Sequence, residues 1–202
     1  LLLYGRGAEN KMNRRDGYCV VSLSWLFFTI FGMLPFYLSG SVDTIANAFF
    51  ETMSGFTTTG ATILDDIESL SHGMLFWRSL TQWIGGLGIV FFTIAILPIF
   101  TSGGVQLFSA ESTGVIHNRT HPKINVMAKW LWAVYLILTL LETILLMFGG
   151  MNLFDAICHS FTTTATGGYS TKQASISYWN SPFIEYVVSV FMLLSSMNFA
   201  LF

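Results

Sequence analysis

Two short stretches of the chain combine threonine and glycine between apolar segments. The first reads GFTTTGATI over residues 55–63, and the second reads SFTTTATGGYST over residues 160–171. Threonine adds a hydroxyl oxygen with little bulk, and glycine permits dihedral angles that place successive carbonyl oxygens on one side of the backbone. A ring of such oxygens can replace the water around a monovalent cation. Both stretches are therefore candidates for coordinating an ion.

Each stretch follows a predicted helix that is too short to cross a membrane. These helices cover residues 44–56, with Asp43 as the expected N-cap, and residues 152–163, with Asp155 in the first turn. A spanning helix needs about 20 mostly apolar residues. Backbone that leaves helical geometry at membrane depth is tolerated only where it is buried in protein or lines a watery cavity. The pattern predicts two re-entrant segments, whose negative helix ends would face the ion.

The composition places the chain in a membrane. It is 53% hydrophobic and 10% charged, against about 25% charged in an ordinary soluble domain. Residues 17–42, 79–110 and 186–202 carry no Asp, Glu, Lys or Arg. We therefore predict an all-α, polytopic transmembrane fold with membrane lipid around it. The net charge of −2 argues against a nucleic-acid partner.

The elements form an internal repeat of span, short helix, Thr/Gly loop and span. Predicted spans cover residues 18–38, 74–97, 126–148 and 182–202, with a kink at Pro35 and an end at Pro98. We expect a cytoplasmic segment (1–17), pore repeat 1 (18–100), a cytoplasmic loop (101–125) and a truncated pore repeat 2 (126–202). Superposing Gly60 on Gly167 brings Thr57 onto Thr164 and Thr59 onto Thr166. Both chain ends read as cuts within a longer protein.

The distribution of basic residues predicts the orientation. Residues 1–17 and 101–129 contain seven Lys and Arg, whereas residues 39–78 and 149–185 contain two. Excess positive charge marks the cytoplasmic side. Both Thr/Gly loops are therefore expected to open to the outside.

Three charged residues in or beside the spans have two interpretations each. Glu142 lies mid-span, either as a hydrogen-bonded group at a helix contact or as part of an ion path. Arg78 is expected to form a structural ion pair with the acidic residues at 65–68 rather than to gate. Glu51 would brace the loop through backbone amides or attract cations at the mouth. The sequence shows no nucleophile–base pair, so we predict no enzyme and no cofactor.

The chain resembles the Trk-type potassium uptake proteins of bacteria, in the Trk/Ktr/HKT superfamily. The resemblance covers essentially all residues and is carried by FFETMSGFTTTGATILDDIESLSHGMLFWRSLTQWIGGLGIVFFTIAILP and FDAICHSFTTTATGGYST. It implies four M1–pore helix–M2 repeats around one potassium pathway in the inner membrane, of which this chain matches the first two. It also implies a homodimer and a cytoplasmic nucleotide-binding regulatory subunit.

The resemblance further implies which residues form the potassium filter, with Gly60 and Gly167 as the filter glycines. Ala165 interrupts the second threonine run and removes one hydroxyl. The full expected set is Thr57, Thr58, Thr59, Gly60, Ala61, Thr164, Ala165, Thr166, Gly167 and Gly168, with possible support from Glu51, Arg78 and Glu142.

We predict potassium uptake, either as a channel or by symport with protons or sodium. The alternative is a secondary transporter that binds a small solute at broken helices. That alternative predicts charged or aromatic binding groups inside the spans, and only Glu142 qualifies.

Overall fold

The computed structural model describes residues 14–100 and 124–197, with side chains described for 18–88 and 129–197. Over these residues the fold is all-α and contains no strand, as predicted. The helices are α1 (Arg14–Gly32), α2 (Leu34–Leu38), α3 (Ile45–Phe56), α4 (His72–Phe100), α5 (Ile124–Phe148), α6 (Leu153–Thr164) and α7 (Pro182–Ser196), with a 3-10 helix at Ser175–Trp179.

Two of the described segments are long and apolar enough to cross a membrane. They are Tyr18–Leu38, formed by α1 and α2, and Lys129–Phe148 within α5. Helix α4 has 29 residues, and at 1.5 Å per residue it is about 43 Å long. Large apolar side chains such as Phe31 and Phe148 are mostly exposed on these helices. This surface suits contact with lipid tails rather than with water.

The expectation about proline holds for the first span and fails for the second. The first span is interrupted at Met33, between α1 and α2, where Pro35 in the first turn of α2 lacks the N–H that would otherwise donate to the Phe31 carbonyl. The expected end of the second span at Pro98 is wrong, since α4 continues to Phe100. Pro98 lies in the last turn of α4, and the helix continues for two residues beyond it.

The two short helices begin at side-chain caps. Thr44, in extended geometry, accepts a hydrogen bond from the Asn47 N–H at 3.2 Å. Asn152 accepts in the same way from the Asp155 N–H at 2.7 Å. The expectation that Asp43 caps the first short helix is therefore wrong, because Thr44 directly precedes the first helical residue and occupies the N-cap position.

The repeat is present, but its register differs by one residue from the predicted superposition. Left-handed backbone occurs at Thr58 (φ 53°) and Thr166 (φ 56°), and again at Gly60 (φ 76°) and Gly168 (φ 79°). Both pairs are 108 residues apart (166 − 58 and 168 − 60), as are the two N-caps. Gly60 therefore corresponds to Gly168, and the expected match of Gly60 with Gly167 is wrong. The predicted superposition matched threonines with threonines. The two repeats instead share the positions of their helix ends and left-handed residues, and the side chains at equivalent positions differ.

Helix α4 packs between the ends of the two short helices. An added Cβ on Gly85 would overlap the Phe56 carbonyl at the end of α3. An added Cβ on Gly86 would come within 3.1 Å of Ala165, just after α6. The glycines of α4 thus let one helix approach both loops closely, which brings its polar residues within reach of each.

Candidate ion-coordination site

The two Thr/Gly segments close the C-terminal ends of the short helices in the same way. We call residues 57–63 loop 1 and residues 165–171 loop 2. In loop 1 the Thr59 N–H donates to the Ser54 carbonyl at 3.0 Å, and in loop 2 the Gly167 N–H donates to the Thr162 carbonyl at 2.8 Å. The chain then turns through a left-handed glycine in each copy. Two separate sequences therefore fold into one backbone motif.

The two loops touch each other. An added Cβ on Gly60 would overlap the carbonyl oxygen of Gly167, so only glycine fits at that approach. The Tyr169 hydroxyl lies 2.9 Å from the Glu51 carbonyl oxygen and 3.2 Å from that of Ala61, and donates toward both. Loop 2 is thereby fastened to the helix and the loop of the first repeat.

The backbone of both loops leaves oxygen acceptors free. No described residue donates a hydrogen bond to the carbonyl oxygens of residues 57–60 or 165–168. Thr59, Ala61, Thr166 and Gly168 are exposed, whereas Ala165 and Gly167 are buried. Uncharged carbonyl oxygens without donors are the ligands by which a filter replaces the water of a monovalent cation.

Of the threonines expected in the filter, those of loop 1 lie in the loop itself, whereas Thr164 lies in the helix before loop 2. The threonines of loop 1 bond among themselves, with the Thr57 hydroxyl 2.8 Å from that of Thr59 and donating to the Met53 carbonyl at 2.7 Å. Thr164 lies apart from the rest, because it is the last residue of α6 and is buried. Its hydroxyl faces α5 rather than the open side of loop 2.

A buried ion pair supports loop 1. Arg78 Nε donates to Glu51 Oε1 at 2.7 Å, and both side chains are almost fully buried. The Glu51 carboxylate also accepts from the Thr62 hydroxyl at 2.9 Å and from the Ile63 N–H at 3.1 Å. A buried carboxylate is stable only when its lone pairs are filled by such donors. Glu51 thus links α3 to the far end of loop 1.

The expected pairing of Arg78 with the acids at 65–68 is wrong. Arg78 is only 2% exposed, so its charge requires a buried partner, and Glu51 on the facing helix supplies one. Glu68 instead forms an outer pair with Lys172 at 3.6 Å. Sequence proximity favoured the wrong acids, because the packing of α3 against α4 cannot be read from spacing.

Arg78 also reaches the second repeat. Its Nη1 donates to the Ser170 carbonyl at 2.9 Å, and its guanidinium lies 3.7 Å from the centre of the Tyr169 ring. The planar guanidinium can donate in several directions at once and stack on a ring. One side chain of α4 therefore donates to Glu51 and to the Ser170 carbonyl from its edges, and packs against the Tyr169 ring with a face.

Loop 2 has its own support at the positions equivalent to loop 1. His159, 108 residues after Glu51, places Nε2 at 3.0 Å from the Ser170 hydroxyl and Nδ1 at 2.8 Å from the Asp155 carbonyl. The Asp155 carboxylate accepts from the Thr171 hydroxyl at 2.6 Å. The supporting geometry is repeated although the residue types differ.

Gln82 is part of the site although the sequence did not single it out. This residue lies one turn after Arg78 on α4 and is fully buried. Its Oε1 accepts from the Tyr169 N–H of loop 2 at 3.1 Å. The one signal in the sequence was its spacing of four residues from Arg78, which puts both side chains on the same face of α4. That face is recognisable as part of the site only once loop 2 is seen to pack against it.

Comparison with known proteins identifies the family. Residues 2–202 match the profile of the family described as "TrkH: Cation transport protein". The chain belongs to this family. The resemblance to Trk-type proteins is thereby confirmed, and the chain is a membrane protein.

Individual relatives of this Trk-family chain agree with the assignment. It is 46% identical over 198 residues to the Trk system potassium uptake protein TrkH of Escherichia coli K12, covering 97% of this chain and 41% of that protein. It is 41% identical to the TrkH of Halomonas elongata, covering 100% and 42%. The crystal structure of the potassium transporter TrkH from Vibrio parahaemolyticus superposes with a TM-score of 0.80 at 38% identity, covering 98% and 40%. The chain thus spans about two fifths of these relatives' length.

Glu142 stands behind loop 2 of this Trk-family chain. It is fully buried in α5, and its Oε2 accepts weakly from the Thr164 hydroxyl at 3.5 Å. Within the described part of the chain its Oε1 has no hydrogen-bond donor. The side chain therefore contacts the end of α6 rather than the exposed surface of loop 2.

Proposed function

We propose that the chain forms part of a potassium uptake pathway in which loops 1 and 2 coordinate the ion through backbone carbonyl oxygens. One observation carries the proposal: both loops turn through matched left-handed residues, contact each other and leave their carbonyl oxygens without donors. The names of the relatives, as potassium uptake proteins, support the choice of ion.

The short helices would add to the attraction for a cation. Helix α3 ends at Phe56 and α6 ends at Thr164, directly before the free carbonyl oxygens of each loop. The C-terminal end of a helix carries roughly half a negative charge. Two such ends converging on one region favour a cation without placing a fixed carboxylate on its path.

The proposed filter comprises the residues whose carbonyl or hydroxyl oxygens lie in these loops or at their starts. Loop 1 contributes residues 57–61 and the second repeat contributes residues 164–168. Glu51 and Arg78 hold the loops in place and do not touch the ion. A solute transporter would need a binding set of charged or aromatic groups facing a cavity, and the loops offer mainly backbone oxygens.

The orientation rests on the distribution of Lys and Arg, and the partners rest on the resemblance to the family. The chain would lie in the bacterial inner membrane with both loops open to the outside, its repeats divided at the boundaries given above. The full-length protein would form a homodimer and bind a cytoplasmic nucleotide-binding subunit through residues 101–125. Most of that loop and of the predicted segment 1–17 lies outside the described residues.

Potassium uptake by the full-length protein in a strain that lacks its own uptake systems tests the proposal. Wild type should accumulate rubidium or potassium and restore growth at low potassium. Gly60→Ser should abolish uptake or raise relative sodium flux at normal membrane expression, because any Cβ overlaps the Gly167 carbonyl. Gly40→Ser, at another glycine with positive φ where an added Cβ meets nothing within 4 Å, is the control and should change selectivity much less. Wild-type selectivity in Gly60→Ser would contradict a filter role for loop 1.

A further inference from the structure

Gln82 is a buried amide at the closest approach of the two loops. Its side chain is fully buried in α4, so both polar atoms of the amide need partners inside the protein. A buried donor or acceptor left without a partner costs about 1–3 kcal/mol. An apolar side chain would pack at this buried position without that cost. We therefore look for a role of the Gln82 amide other than packing.

The acceptor half of the amide has a defined partner. Gln82 Oε1 accepts from the Tyr169 N–H at 3.1 Å, directly after the left-handed Gly168. This bond also assigns the amide, because exchanging oxygen and nitrogen would point two donors at each other. The bond holds the backbone of loop 2 immediately beyond the free carbonyl oxygens of residues 165–168.

The donor half lies between the loops. An added Cβ on Gly167 would overlap the Gln82 amide, and one on Gly60 would come within 3.8 Å of Nε2. Within the described residues Nε2 has no acceptor. The amide therefore occupies the space behind the contact between Gly60 and the Gly167 carbonyl.

We propose that Gln82 is a positioning residue that sets the backbone of loop 2 and its distance from loop 1, and through them the discrimination between potassium and sodium. The inference rests on the potassium function proposed above. Carbonyl oxygens discriminate between ions only when their number and spacing are maintained. Gln82 maintains them by one hydrogen bond to loop 2 and by the volume of its amide between the loops.

Two substitutions in the full-length protein separate the hydrogen bond from the volume. Gln82→Leu has a similar size but removes the acceptor, and Gln82→Glu keeps an acceptor oxygen for the Tyr169 N–H. Gln82→Leu should lower the ratio of potassium to sodium uptake by roughly threefold to tenfold, the equivalent of one hydrogen bond. Gln82→Glu should retain a higher ratio than Gln82→Leu. Ser79→Ala is the control on the same helix, since its hydroxyl bonds to the Leu75 carbonyl.

Hydrogen–deuterium exchange gives a readout that does not depend on transport. Gln82→Leu should speed exchange in a peptide covering residues 165–171, and Gln82→Glu and Ser79→Ala should not. An unchanged ion ratio in Gln82→Leu, or equal loss in both Gln82 variants, overturns the positioning role. If wild type takes up no potassium but exchange responds as expected, the proposed transport function fails while the structural role of Gln82 stands.

Discussion

At the scale of the residue, Gly168 and Gly40 form a matched pair. Both have positive φ, +79° and +67°, and an added Cβ on either meets nothing within 4 Å. Alanine at each position therefore carries the same kind of backbone strain, about 1–3 kcal/mol, without a clash. The two positions differ in place, since Gly168 lies in loop 2 and Gly40 follows α2.

We expect Gly168→Ala to reduce discrimination against sodium by about tenfold, because relieving about 1.4 kcal/mol of strain by rotating the backbone turns carbonyl oxygens away from the ion. Gly40→Ala should preserve the wild-type ratio. Competition of sodium with rubidium uptake in cells expressing each full-length variant measures the difference. Equal ratios in both variants, at equal expression, would remove Gly168 from the ion path.

At the scale of the element, the ion pair between Glu51 on α3 and Arg78 on α4 joins these two helices and also holds loop 1 and loop 2. Breaking a buried pair by removing one partner typically costs about 3–5 kcal/mol, because the other charge is left unpaired. Arg78→Met should therefore lower the thermal unfolding midpoint of the purified full-length protein strongly. Adding Glu51→Gln should recover much of the loss, since the unpaired charge is gone and an acceptor for Ile63 remains.

The outer pair between Lys172 and Glu68 is the control for that series. Both side chains are partly exposed, at 24% and 43%, and such pairs contribute about 0–1 kcal/mol. Lys172→Gln should shift the unfolding midpoint little. A double variant no more stable than Arg78→Met would show that the contacts of Arg78 with loop 2, and not its charge pairing, carry the stability.

Sequence patterns predicted the elements well and their mutual contacts poorly. Apolar length located the long helices and both short helices to within a few residues, since it is a local property, although the N-cap of the first short helix was assigned to the wrong residue. The partner of Arg78, the role of Gln82 and the equivalence of Gly60 with Gly168 all depend on which surfaces face each other. Those facts arise from packing between repeats about a hundred residues apart, which no local pattern encodes.

At the scale of the whole molecule, orientation in the membrane is the main prediction. Lys and Arg favour the side of residues 1–17 and 101–129 by seven to two, which would put the exposed connector after loop 1 outside. In a background lacking Cys19 and Cys158, a cysteine at Ser69 should react with an impermeant thiol reagent on intact cells. A cysteine at Ser112 should react only after lysis. Labelling of Ser112 alone on intact cells would reverse the orientation.

The contacts of Tyr169 have a consequence for how the two repeats can change. Its ring stacks under Arg78 and its hydroxyl reaches the carbonyls of Glu51 and Ala61, yet the equivalent position in loop 1 is Ala61. Loop 2 therefore supplies the tyrosine and the first repeat supplies the carbonyl oxygens that it contacts, so the two loops are not interchangeable. A chimera carrying loop 1 in both places would keep Thr166 and the left-handed Gly168 but would replace Tyr169 with alanine, and so lose its contacts with the first repeat. The two repeats share one backbone motif, and the side chains that differ between them join them into one unit.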